Sequence, residues 1–286
     1  MKLTYIARLK FFPFYLISLL PMPILYFISD VLYIIVYKVV SYREKVVRYN
    51  LVNAFPERTG YEINIIEKKF YHHLCDIAVE AIKTLTISEK EIKKRLIIRN
   101  PELLLDFQKK HQSILMYAAH QGNWEWLVYL PIYFQIPSYT FYKPLKNGYF
   151  NELFLTIRER FGVKCIAAKK GYRTIIRQKN ENLPVMNCII GDQSPKRKQA
   201  KIWKEFMYRE TAFLTGAEKI ADRTGPAVVF PNFRKIKRGH YELQFHIVEK
   251  TETSSIIDNY IKLLESSIRK SPELWLWSHK RWKLSS

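Results

Sequence analysis

Cysteine is scarce in this sequence: three in 286 residues, Cys75, Cys165 and Cys188, widely spaced and without a C-x-x-C pair. That supports neither a disulfide framework nor a zinc site, and it favours a reducing, cytoplasmic setting for the soluble part. Acidic residues are also few, 26 Asp and Glu against 47 Lys and Arg, for a net charge of +21. Such a field favours an anionic partner (nucleic acid, acidic lipid head groups or an acidic protein) without choosing among them. There is no G-x-G-x-x-G, no P-loop and no metal-ligand spacing. Internal repeats, low-complexity tracts and linkers are absent as well. With 48% hydrophobic and 15% aromatic residues, disorder is not the reading.

Charge disappears altogether from Phe11 to Ser29, FFPFYLISLLPMPILYFIS, and apolar character resumes after Asp30 up to Tyr37. The run is near the length that spans a bilayer core, but Pro13, Pro21 and Pro23 argue against a straight helix. Lys2, Arg8 and Lys10 precede it; Lys38, Arg43, Lys45 and Arg48 follow. Positive charge on both sides sets no orientation and suits a kinked segment or helical hairpin embedded from the cytoplasmic face. No small-residue cleavage site follows, so a cleaved signal peptide is not expected. Membrane attachment is the expectation, with spanning and embedding both open.

Two regions are expected: residues 1–57 as membrane anchor and basic helix, and 58–286 as one globular domain. Apolar residues recurring at three and four positions predict a helix over 61–85, and Ser88 opens another over 89–96. Beyond them, strands are expected at 113–119, 139–142, 163–167, 185–190, 227–231 and 241–248. Helices are expected at 124–134, 149–161, 172–179, 211–224 and 256–270. This alternation predicts an α/β fold with a mixed, largely parallel central sheet flanked by helices.

His120 closes the nearly unbroken apolar strand SILMYAA, where sites gather in open α/β sheets. Asn123 can cap the following helix through its side-chain oxygen. At roughly 100° per residue, positions five apart on a helix lie about 140° apart, so His120 and Glu125 would not share a helical face. With His120 on the loop and Glu125 in the first turn, the carboxylate can reach back to the imidazole, as in a base held by an acidic partner. The plain alternative is a boundary histidine beside a glutamate favoured by the helix dipole.

HQGNWEW (120–126) is similar to the H-x-x-x-x-D/E box of glycerolipid-type acyltransferases. Its GNWE core closely resembles the lipid A (lauroyl/myristoyl) late-acyltransferase branch of the lysophospholipid acyltransferase superfamily. Further blocks are similar in the same order: SYREKVVRYNLVNAFPE (41–57), FYKPLKNGYFNELFLTIRERFG (141–162), IIGDQSP (189–195), TAFLTGAEKIADRTGPAVVFP (211–231) and ELWLWSHKRWK (273–283). Pro226-Ala227 stand where that family more often has Ala-Pro, and Lys280 replaces the first arginine of its W-x-W-x-H-R-R-W.

The resemblance implies transfer of a fatty acyl chain from acyl carrier protein to a hydroxyl of a membrane glycolipid, at the inner membrane and facing the cytoplasm. It implies His120 as general base, Glu125 as its partner, and no cofactor or metal. An oxyanion must be stabilised. Backbone N–H groups near Gly122-Asn123, or Arg158 or Arg160, are the candidates. Substrate-binding expectations fall on Asn123, Tyr142, Lys143, Asn147, Arg158, Arg160, Asp192 and Gln193. The arginines suit phosphate, and Asp192 would position the acceptor or hold an arginine. Other acceptors (an aminolipid, a phosphatidylinositol mannoside, a lysophospholipid) would keep the same chemistry. A non-catalytic basic membrane- or nucleic-acid-binding protein is the remaining reading.

The basic run at 196–209 is expected to meet lipid phosphates or an acidic carrier protein rather than nucleic acid. The C-terminal tryptophans suit an interfacial belt or a core. His72, His73, Cys75 and Glu80 are expected to be structural.

Overall fold

A computed structural model describes residues 5–284; Lys2, one of the charges before the apolar run, lies outside them. The chain opens with short helices α1 (Tyr5–Lys10), α2 (Phe12–Leu19) and α3 (Met22–Tyr33), the last continuing as a π-helical turn, Ile34–Val39. Pro13 and the Pro21–Pro23 pair break the apolar run where expected, each sitting at a helix start that has no N–H to lose. Then come α4 (Glu44–Ala54), α5 (Gly60–Lys83), α6 (Glu89–Arg95), β1 (Leu96–Ile98) and α7 (Pro101–Lys109). A Thr59–Glu62 capping box opens α5.

The remaining elements are β2 (Ile114–Ala118), β3 (Ser138–Tyr142), α8 (Gly148–Glu159), β4 (Val163–Ala167), α9 (Ala168–Asn180), β5 (Met186–Ile190), β6 (Ile202–Phe206), β7 (Arg209–Phe213), α10 (Gly216–Thr224), β8 (Ala227–Lys237), β9 (His240–Ile247) and α11 (Ile256–Lys270). Seven strands form one sheet in the order β1-β9-β8-β2-β5-β3-β4, and only the β8–β9 pair is antiparallel. The predicted mixed, largely parallel α/β sheet is therefore what forms. Every residue of β2 is buried. Leu115 and Tyr117 face one apolar core while Ile114, Met116 and Ala118 face the other, as a period of two requires. Covered on both faces, β2 needs the continuous apolar run that marks it in the sequence.

Several elements differ from expectation. Residues 211–213 end β7 instead of starting a helix, because 202–213 fold as a hairpin around Met207 and Tyr208, both at positive φ. The stretch after His120 is 3₁₀-helical, Trp124–Ile132, and contains Pro131, which has no N–H to offer an α-helical ladder. Neither β1 nor α7 is anticipated from the sequence: one is three residues long, the other starts at Pro101.

The apolar α3 does not stand away from the domain. Tyr37 stacks on Tyr71, Tyr33 on His72, Ser29 donates to Asp76 at 2.8 Å, and Tyr26 donates to Glu80 at 2.8 Å. The pairs run in opposite order, so α3 lies antiparallel along α5 and is tied to it by polar bonds.

Candidate active site

β2 and β5 are parallel neighbours with Ala118 opposite Ile190, so two residues further on His120 and Asp192 leave the sheet side by side. His120 Nδ1–H donates to Asp192 Oδ1 at 2.7 Å. The other carboxylate oxygen accepts the His120 backbone N–H at 2.9 Å and the Trp275 indole N–H at 2.8 Å. Burial alone would raise the Asp192 pKa, but the neighbouring His120 and these hydrogen bonds outweigh it and hold the carboxyl below its ordinary value. With Nδ1 protonated, Nε2 keeps a lone pair; the Gln193 amide donates to it at 3.3 Å. This is the arrangement of a base held in one tautomer by a buried carboxylate.

The expected His120–Glu125 contact is corrected by this geometry. Glu125 is instead gripped in bidentate fashion by Arg158, Nε to Oε2 at 3.0 Å and Nη2 to Oε1 at 2.6 Å. The 3₁₀ path after His120 turns Glu125 toward α8 rather than back to the ring. Arg158, on the cavity wall, is engaged there and held protonated by Glu125 against the opposing effect of burial. Arg160 donates to the Thr84 carbonyl and stacks over Phe161 at 4.5 Å, away from the His120 cavity. Asn123 does not cap the next helix; fully buried, it donates to Glu80 behind the site. Asn147 caps α8 by accepting the Phe150 N–H at 3.2 Å.

Gly122 explains the sharp exit from β2. Its φ is +64°, and a Cβ there would stand 2.1 Å from Phe233 Cβ, so only glycine fits. Beneath this loop His73 donates from Nε2 to the Gly122 carbonyl at 3.1 Å, and full burial pushes its pKa down to about 3. Glu80 collects Tyr26, Tyr241 and Asn123 as donors, and burial lifts its carboxyl to about 7. The structural reading of His73 and Glu80 fits these contacts.

His120, Trp124, Glu125, Arg158 and Gln193 line one cavity of roughly 790 Å³, together with Tyr142 and Lys143. Its inner wall is apolar: Met116, Leu127, Val128, Leu130, Val163, Met186 and Ile190. Lys143, Lys196 and Lys283 stand at its exposed edge. The cavity thus joins a hydrocarbon-like interior to a histidine base and a cationic rim.

The C-terminal segment closes the site, and sequence reasoning assigned it no such part. Gly122 N–H donates to Leu274 O at 2.9 Å and Leu276 N–H to His120 O at 3.0 Å. Trp275, Trp277 and Trp282 are all buried, so they form core and not an interfacial belt. His279 lines the cavity, its Nε2 accepting the Ser194 N–H at 3.0 Å. Arg281 is 1% exposed, lies 4.4 Å over Phe213, and none of its guanidinium nitrogens has a hydrogen-bond partner among the described residues. The sequence carries half of the signal for Asp192 as the histidine partner, two apolar strands each ending one or two residues before a polar side chain, and the other half, that the strands are neighbours, comes from the fold.

Compared with known proteins, residues 2–284 match the family model for bacterial lipid A biosynthesis acyltransferases. No curated protein matches the chain.

Proposed function

The chain belongs to the bacterial lipid A biosynthesis acyltransferase family, and from that premise we propose how this chain carries out the transfer. The donor is an acyl carrier protein thioester, and the acceptor is a hydroxyl of a membrane glycolipid. The observation that carries this is the cavity itself, apolar within and edged by His120 and lysines. An acyl chain buried there gains about 0.8 kcal/mol per methylene, and the lysine rim suits an anionic head group or an acidic carrier. His120 Nε2 takes the proton of the acceptor hydroxyl as its oxygen attacks the thioester carbonyl. Asp192 keeps the tautomer and stabilises the imidazolium, and the same proton then passes to the departing thiolate. The Glu125–Arg158 pair holds the cavity wall beside the base. No cofactor enters this scheme.

The enzyme works at the cytoplasmic face of the inner membrane, and α2–α3 lie in the interface plane. Met22–Val39 is long and apolar enough to cross a membrane. Yet Asp30 within it pairs with Arg238 at 2.7 Å, and Arg238 also pairs with buried Asp76. Crossing would drag these ions and α5 into hydrocarbon, where unsolvated charge costs several kcal/mol. The outward side chains Phe12, Leu16, Leu19, Phe27, Val31 and Ile34 are exposed and suit shallow burial among acyl chains.

The test is an assay of membranes carrying the wild type or His120→Ala with labelled acyl carrier protein thioester. Acceptors are a Kdo-bearing lipid A precursor, a lysophospholipid and a phosphatidylinositol mannoside. Acylation of the lipid A precursor that is lost in His120→Ala is expected. Acylation that survives the substitution contradicts the mechanism, and activity on another acceptor alone contradicts the substrate.

A further inference from the structure

The developing oxyanion needs a donor, and three of the groups expected from the sequence already have partners. Gly122 N–H is spent on Leu274 O, Arg158 on Glu125, and Arg160 on Thr84. Three consecutive residues instead organise two imidazoles on one edge of the cavity. Asp192 holds His120 Nδ1, Gln193 donates to His120 Nε2, and the Ser194 N–H donates to His279 Nε2.

A ring nitrogen that accepts a hydrogen bond is unprotonated, so the single proton of neutral His279 sits on Nδ1. That nitrogen has no hydrogen-bond partner among the described residues, and it is not among the sealed, unsatisfied buried atoms. His279 lines the same cavity as His120, so its Nδ1–H is an unspent donor on a residue of that cavity wall.

We propose that His279 is a second catalytic residue, whose Nδ1–H hydrogen-bonds the thioester carbonyl oxygen as it becomes an oxyanion. Burial holds the His279 pKa down at about 4, with the Asp192 charge opposing and the Arg281 charge reinforcing it, so the ring stays a neutral donor at physiological pH. The acceptor oxygen forms its bond to the carbonyl carbon, and the π pair moves onto the carbonyl oxygen, where Nδ1–H meets it. Collapse re-forms the carbonyl and breaks the carbon–sulfur bond. His120 returns the abstracted proton to sulfur, so His279 gains and loses none. The assignment rests on the acyl-transfer reading above.

Two variants separate this role from a structural one. His279→Gln places its amide oxygen where Nε2 accepts from Ser194 but leaves no donor at the Nδ1 position. His279→Asn places a donor near Nδ1 and loses the Ser194 bond. Oxyanion duty predicts that His279→Gln lowers kcat by about 10²–10³-fold with KM nearly unchanged, and that His279→Asn recovers part of the loss. A trifluoromethyl ketone carrying the acyl chain should bind His279→Gln more weakly by a similar factor, while an unreactive thioether analogue binds as to wild type. An active His279→Gln beside an inactive His279→Asn, or equal loss of both inhibitors, overturns the proposal. A wild type that transfers no acyl chain overturns the acyl-transfer reading and this assignment with it.

Discussion

At the scale of single residues, the site is governed by what surrounds Asp192. Its two oxygens accept three hydrogen bonds, and the buried Arg281 cation is electrostatically coupled to it. Among the described residues Arg281 has no hydrogen bonds from its guanidinium to repay its desolvation, and burial lowers its pKa to about 10. Its coupling to Asp192 suits a part in the site more than a part in the fold. Arg281→Met, which keeps the volume and removes the charge, should leave the thermal midpoint unchanged or higher. Acyl transfer per folded molecule should fall, because Asp192 loses the buried cation coupled to it. A large drop in midpoint with unaltered activity per folded molecule would show the reverse division of labour.

At the scale of elements, the loop after β2 is held from below by α5. His73 is neutral in the fold because burial lowers its pKa to about 3, against 6.5 for the free side chain. Between those values the unfolded chain binds one more proton than the folded chain. The stability is therefore fully present above pH 6.5 and is lost as pH falls. His73→Gln keeps an N–H for the Gly122 carbonyl and does not titrate. From pH 6 to pH 4 the wild type should lose stability relative to His73→Gln by about 1.4 kcal/mol per pH unit, read from urea midpoints. A constant difference across that range would mean that His73 is charged in the fold.

At the scale of the whole molecule, the parallel α/β sheet was legible because β2, β4 and β5 are apolar runs of strand length between amphipathic helices. Helix 256–270 was legible from its period, and the structure gives Ile256–Lys270. What remained hidden depends on adjacency. Nothing in the order of residues says that β5 lies beside β2, and that neighbour relation puts Asp192, not Glu125, on His120. The closing C-terminal segment was hidden for the same reason, since its tryptophans read equally as belt or core. Whole-molecule placement also decides between crossing and lying on the membrane. Lys10 and Lys38 flank the apolar helices, so a Lys10→Cys or Lys38→Cys variant, in a background with the three native cysteines replaced by serine, reports sidedness. An impermeant maleimide should label both from the cytoplasmic side of sealed inner-membrane vesicles. Labelling of only one would establish a span.

The base role proposed for His120 depends on the tautomer that Asp192 imposes. Its most direct test is kcat/KM for acyl transfer by Asp192→Asn, measured beside His120→Ala and the double variant. An asparagine in that place can hold the wrong tautomer, and a loss of about 10⁴-fold is expected by analogy with triad enzymes. Asp192→Asn should fall close to the His120→Ala background, and the double variant should fall no further. Asp192→Asn retaining more than about a tenth of wild-type kcat/KM, a loss of under one pKa unit's worth of free energy, would contradict that dependence.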